Sequence, residues 1–174
     1  MTDQVPSESR ATPVRGDVAR RVTRWVRLLA MFGFILPFLT VSCMGQDVVS
    51  PSGVELAFGL DTEVSPEFDE LVDETGGIAT EVEPEVLIAL ALTAGAAVFG
   101  FGRAWKVATL LSLGAAGVLL YWWTQVVADI PGEVALLVDV SIGIGLWMVW
   151  IMLLTSTGID IFANVRDLIQ EQVT

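Results

Sequence analysis

The sequence predicts an all-α membrane protein, with four transmembrane helices and a long acidic extracytoplasmic loop between helices 1 and 2. Three observations lead there. Of the 174 residues, 53% are hydrophobic and only 17% are charged, which is far more apolar than an ordinary soluble domain. The apolar residues gather in four runs while most acids gather in one segment, so the formal charge of −12 describes a loop rather than a whole surface. All nine Lys and Arg residues fall on one side if the chain crosses the bilayer four times.

Residues 1–24 are rich in Arg, Ser, Thr and Pro, and are too poor in apolar side chains to offset the entropy of ordering; they read as a disordered cytoplasmic tail. Residues 25–44, WVRLLAMFGFILPFLTVSCM, form the first run. Twenty residues at about 1.5 Å each match the ~30 Å hydrocarbon core. Arg27 is expected to snorkel to the inner interface, and Pro37 to kink the helix between Gly33 and Pro37.

Residues 45–85 form the acidic extracytoplasmic loop, which carries twelve carboxylates and no Lys or Arg. Within it, Val48–Val49 and residues 54–58 flank Ser50-Pro51-Ser52-Gly53, a hairpin signal. The segment from Pro66 to Glu74 is suited to two helical turns with Phe68, Leu71 and Val72 on one face.

Residues 86–102 form the second helix, short and rich in Ala, Leu and Gly, with Ala91 and Gly95, then Ala96 and Gly100, four apart. A cytoplasmic turn at 103–106 leads to the third helix, 107–128, where Ser112 and Ala116 repeat the spacing. Facing stripes of small residues let transmembrane backbones approach closely. An extracytoplasmic turn at 129–133 precedes the fourth helix, 134–156. Residues 157–174 follow as a cytoplasmic amphipathic tail helix, with Ile161, Phe162, Val165, Leu168, Ile169 and Val173 at helical spacing. By the positive-inside rule the basic side is cytoplasmic, so both termini lie there. Tyr121, Trp122 and Trp123 are expected at the outer interface, and Trp25, Trp105 and Trp150 at the inner one.

Candidate chemistry is sparse. The single Cys43 excludes an internal disulfide, and with no His the usual neutral-pH base and metal ligand is missing. Thr40-Val41-Ser42-Cys43 invites a lipoprotein reading, but Thr40 stands where such sites carry Leu, and a free buried or interfacial cysteine is the simpler account. Asp139 is either a charge within the fourth helix or an interfacial group beside Gln125, Asp129 and Glu133. The cluster Glu67, Asp69, Glu70, Asp73 and Glu74 lacks the Gly-centred spacing of a calcium loop and reads as a solvated acidic face. Gly100-Phe101-Gly102 makes no phosphate loop. No catalytic, cofactor-binding or metal-binding residue is assigned, and no cofactor is expected.

The stretch from Leu36 to Gly45, LPFLTVSCMG, followed by Ser52-Gly53-Val54-Glu55-Leu56-Ala57-Phe58-Gly59, resembles a pattern of small bacterial, often actinobacterial, four-helix membrane proteins of unknown function. In these, Pro-Phe-x-x-Val-Ser-Cys is followed by Ser-Gly-x-x-Leu-x-x-Gly. The resemblance covers roughly residues 30–60 and implies a four-helix architecture in a bacterial plasma membrane, but no activity. The expectation is a multi-pass, non-enzymatic protein acting through protein–protein interaction as an accessory or scaffolding subunit. Its partners would be the lipid bilayer and another membrane protein or a second copy, and not nucleic acid. The alternative is a subunit of a transporter or channel, for which Thr93, Ser112, Thr124, Gln125, Ser141 and Asp139 are the polar groups at hand.

Overall fold

The computed structural model describes residues 15–43, 46–60, 82–102, 104–128 and 138–173. Most of the acidic loop, including its five-carboxylate cluster and the two turns expected from Pro66 to Glu74, lies outside them. So do the first fourteen residues of the tail and the turn at 129–133.

The elements are α1 (Arg15–Gly33), β1 (Leu39–Cys43), β2 (Gln46–Val49), α2 (Gly53–Phe58), α3 (Pro84–Phe101), α4 (Trp105–Ala128), β3 (Val138–Ile142) and α5 (Ile144–Val173). Three segments are long and apolar enough to cross a membrane: Pro84–Phe101, Trp105–Ala128 and Ile144–Val165. The expected four become three, because the first apolar run is not one helix.

The reason lies at Gly33. Beyond it the backbone closes i→i−3 bonds, from Phe34 N to Met31 O (3.2 Å), Ile35 N to Phe32 O (3.1 Å) and Leu36 N to Gly33 O (3.2 Å). Pro37 has no N–H with which to resume the helix. β-Branched Thr40 and Val41 then enter a strand. What remains of α1 is nineteen residues, among them Arg15, Arg20, Arg21, Arg24 and Arg27.

The strand is one of three in a sheet of order β2-β1-β3. β1 and β3 pair antiparallel from Leu39↔Ile142 to Cys43↔Val138, and β1 and β2 pair antiparallel with a register shift between Val41 and Ser42. The β1–β3 pairing continues into the helices through Gly143 N to Phe38 O and Gly145 N to Pro37 O, both 2.8 Å. Gly143 must be glycine here, since a Cβ would run into the Pro37 carbonyl. Helices α1 and α5 are therefore fastened at their sheet end and run antiparallel: Gly33 meets Gly145 and Val149, and Arg27 meets Asp160. Helices α3 and α4 pair likewise, with Gly95 against Leu111 and Gly114 against Leu92.

The hairpin expected around Ser50–Gly53 is replaced by a helix start. Ser52 caps α2: its Oγ accepts from Glu55 N (3.2 Å), and Glu55 Oε2 accepts from Ser52 N (2.6 Å). This reciprocal box satisfies two otherwise orphaned donors, and Gly59 ends the helix in the left-handed region at φ 62°. A Cβ on Gly53 would lie 2.7 Å from the Phe38 ring. Phe38 in turn packs on Phe34 and on Trp122, with ring centroids 5.0 and 6.4 Å away. Trp122 is thus a core residue and not an interface anchor; its Nε1 donates to Glu83 (3.1 Å), whose own N–H donates to Leu56 O (2.9 Å).

The bundle below this cap buries many small residues beside Leu119, Leu146, Val149 and Leu153, and exposes large apolar ones. Ala30, Ala89, Ala96, Ala108 and Ala115 are fully buried, whereas Val98, Leu110 and Phe162 are 70, 69 and 72% exposed. An apolar exterior with small residues among those packed between the helices suits lipid as the surrounding solvent. Of the expected stripes, Ala96–Gly100 and Ser112–Ala116 are buried, Gly95 is half-buried, and Ala91 faces outward. The separate fourth span and tail helix are a single helix of thirty residues that begins only at Ile144. Trp150 consequently lies two turns from the sheet end of α5, not at the inner interface.

Candidate functional site: a buried ion pair shared by the helices

Helical spacing of 3.6 residues puts Thr23, Arg27 and Ala30 on one face of α1, Phe34 just past its end continues the row, and all four are buried. The opposite face, with Val18, Trp25, Leu29 and Phe32, is exposed. On α5 the inward row is Leu146, Val149, Leu153, Ser156 and Asp160. The two rows meet with a charge on each.

Arg27 Nη2 donates to Asp160 Oδ2, and the side chains are 2 and 7% exposed. Arg27 Nε donates to Ser112 Oγ (3.2 Å), and the Ser112 hydroxyl donates onward to Ala108 O (2.9 Å). The Thr109 hydroxyl reaches Asp160 Oδ2 at 2.7 Å and Trp105 O at 3.0 Å, so its single proton serves either. Gly100 of α3 borders the guanidinium, a Cβ there falling 2.9 Å from Arg27 Nη1. A second guanidinium, that of Arg24, donates from Nε to Gly100 O (2.9 Å) and lies over the Phe101 ring at 5.7 Å. Helices α1, α3, α4 and α5 thus all contribute to one polar cluster at the end of the bundle away from the sheet.

The snorkelling expected of Arg27 is therefore corrected: its side chain turns inward because a carboxylate waits there. An isolated charge within hydrocarbon costs about 2.5–3.5 kcal/mol or more, and pairing with hydrogen bonds is what makes burial tolerable. Among the described residues no group of His, Cys, Asp and Glu is placed to hold a metal ion.

The polar residues noted in the sequence do not converge. Ser112 belongs to the cluster. Thr93 is buried and donates to Ala89 O of its own helix (2.8 Å), Thr124 donates to Tyr121 O (2.7 Å) and Gln125 to the Tyr121 hydroxyl (2.8 Å). Asp139 and Ser141 are exposed on β3, Asp139 opposite Ser42, so Asp139 is not in a helix at all. Cys43 ends β1. Sequence reasoning missed Asp160, placing it in the tail. The signal was there: Leu153, Ser156 and Asp160 continue the inward spacing of the apolar run.

Fold and site together define a helical membrane protein with three apolar spans, a small sheet at one end and a buried ion pair towards the other. Compared with models of known families, with curated proteins and with solved structures, the chain matches none.

Proposed function

We propose that this is a non-enzymatic, multi-pass protein of a bacterial plasma membrane in which α1, antiparallel to α5, crosses beside the three apolar spans, so that both termini are cytoplasmic, and that it presents its acidic outer segment to a protein partner as an accessory or scaffolding subunit. The observation that carries the reading is how the polar groups are divided. Inside the bundle Arg27, Asp160, Thr109 and Ser112 bind one another. At the other end, the sheet and α2 are mounted on the helices through Phe38, Glu83 and Trp122. A closed polar cluster holds helices in register; a polar cap fixed on a rigid bundle suits contact with something outside. Open sheet edges are not tolerated in hydrocarbon, which supports a position for the sheet at or beyond the interface. Asp47, Glu55, Glu83 and Asp139 lie at that end, and Arg24 and Lys106 at the other. By the positive-inside rule this supports a cytoplasmic position for the basic end.

The test is co-purification in mild detergent of the wild-type chain and of a variant with Glu67, Asp69, Glu70, Asp73 and Glu74 changed to Gln or Asn. A stoichiometric partner should be retained by the first and weakened in the second, with less dependence on salt, because exposed charges attract over a screening length of ~8 Å at physiological ionic strength. Full retention by the neutralised loop would sink the reading.

One observation favours a transporter or channel subunit instead. Thr157 Oγ1 is buried one turn before Asp160 and has no hydrogen-bond partner among the described residues, and buried polar atoms of that kind commonly hold water. On this second reading Thr157→Val abolishes flux in reconstituted vesicles, whereas on the first it leaves partner binding intact.

A further inference from the structure

Two guanidiniums meet at Gly100, but one carboxylate serves them. Arg27 takes Asp160. Arg24 is half-buried, its Nε is spent on Gly100 O, its plane rests near Phe101, and it has no carboxylate partner among the described residues. Those two contacts position the guanidinium, and the one hydrogen bond between them uses Nε rather than a terminal NH₂ group. Trp25, the residue after Arg24 on α1, and Phe101 at the end of α3 are 63 and 56% exposed, so exposed aromatic surface accompanies the charge. Lys106, in the first turn of α4, is exposed, with its Nζ 5.7 Å from the Trp105 ring.

A fixed guanidinium at the end of an apolar span calls for an anion that carries its own apolar body. The geometry points to a binding site for an anionic phospholipid at the corner of α1 and the α3–α4 turn. Arg24 grips the headgroup phosphate, Lys106 adds a flanking charge, and Trp25 and Phe101 line the acyl chains. Arg suits this role because its planar fork matches two phosphate oxygens at once. Basic pockets between transmembrane helices take such headgroups. The inference rests on the membrane placement of the bundle and is independent of any outer partner.

The test is lipid retention by the detergent-purified full chain in native mass spectrometry, with phosphatidylglycerol, phosphatidylcholine and inorganic phosphate as separate probes. Phosphatidylglycerol should be retained in preference to phosphatidylcholine. Lys106→Gln should lower that preference about fivefold, the effect of one basic charge near a membrane surface. Arg24→Gln should lower it further, and clearly more than Arg21→Gln on the exposed side of α1. Equal losses in the two Arg variants would mean diffuse attraction and would overturn the site. Equal retention of the two lipids would overturn it as well, and so would protection by inorganic phosphate matching that of phosphatidylglycerol. If Arg24→Gln gives no folded protein, Phe101→Leu decides, since it removes only the ring beneath the guanidinium. An unchanged lipid preference in that variant refutes the proposal.

Discussion

Gly100 of α3 makes room for Arg27 of α1: a side-chain carbon at that glycine would lie 2.9 Å from the guanidinium. Arg27 cannot simply swing away, because Asp160 and Ser112 hold its other nitrogens. Gly100→Ala should therefore destabilise the bundle by about 1–3 kcal/mol, the range for overpacking a filled interior. Gly100→Leu should lower folded yield severely. Leu110→Ala, at a position 69% exposed, should change stability by no more than about 0.5 kcal/mol. Thermal unfolding in detergent, followed by size-exclusion chromatography, ranks the three variants; equal behaviour would mean that α1 and α3 do not touch at Gly100.

The ion pair invites a double-mutant cycle. Arg27→Leu leaves Asp160 buried with one hydroxyl for company, and Asp160→Leu leaves Arg27 on Ser112 alone. Each single change should cost about 3–5 kcal/mol, as breaking a buried pair does. The double variant should recover most of that loss, because two apolar residues of similar size replace both charges together. Losses that simply add would show that the two side chains do not interact.

The three apolar spans were legible in the sequence because each is continuous and needs no distant partner to be helical. The first run was not, and the reason is long-range. Nothing local in residues 34–43 distinguishes a helix with a proline kink from a turn and a strand. The decision comes from Val138 to Ile142, some hundred residues on, which supply the ladder that Leu39 to Cys43 join. Arg27 is the same case. Its neighbours in sequence suggest an interfacial charge, and its actual partner is Asp160, 133 positions away. Ser52-x-x-Glu55, by contrast, was readable as a capping box from local spacing alone, and the hairpin reading around it overlooked that signal.

The cap of α2 can be tested separately from the bundle. Ser52→Ala removes the acceptor for Glu55 N and should cost about 1 kcal/mol. Gly53→Val should cost more, since Phe38 and Phe34 already occupy the space where its side chain would go. Phe38 bears on Trp122, so the second variant should also shift tryptophan fluorescence, while Ser52→Ala should not. A Gly53→Val protein with unchanged melting temperature and spectrum would refute this packing.

Orientation can be read with a membrane-impermeant thiol reagent on intact cells, in a Cys43→Ser background. Gln46 in β2 is exposed at the sheet end, and Ile169 near the end of α5 is 58% exposed at the other. Gln46→Cys should react without lysis and Ile169→Cys only after it. The reverse pattern would place the basic end outside.

The strand in place of the end of the first apolar helix makes the sharpest prediction. In the β1–β3 ladder Ser42 stands directly opposite Asp139, and directly opposed residues of an antiparallel pair have Cβ atoms about 4.5–5.5 Å apart. That is close enough for a disulfide after small backbone adjustment, the usual Cβ separation being roughly 3.5–4.5 Å. Ser42→Cys with Asp139→Cys, again with Cys43→Ser, should cross-link on mild oxidation and tie the two halves of the chain together. The link is best detected as a reduction-sensitive join after proteolytic cleavage within residues 61–81. Ser42→Cys with Gln125→Cys serves as the control, since Gln125 lies on α4 and bonds to Tyr121, not to the sheet. Were residues 25–44 instead one spanning helix, positions 42 and 139 would have no fixed relation, and the two double-cysteine variants would oxidise alike. Efficient joining in the first and not in the second means that the chain leaves α1 as a strand, so the cap at the sheet end of the bundle is built from the very residues that looked like the end of a helix.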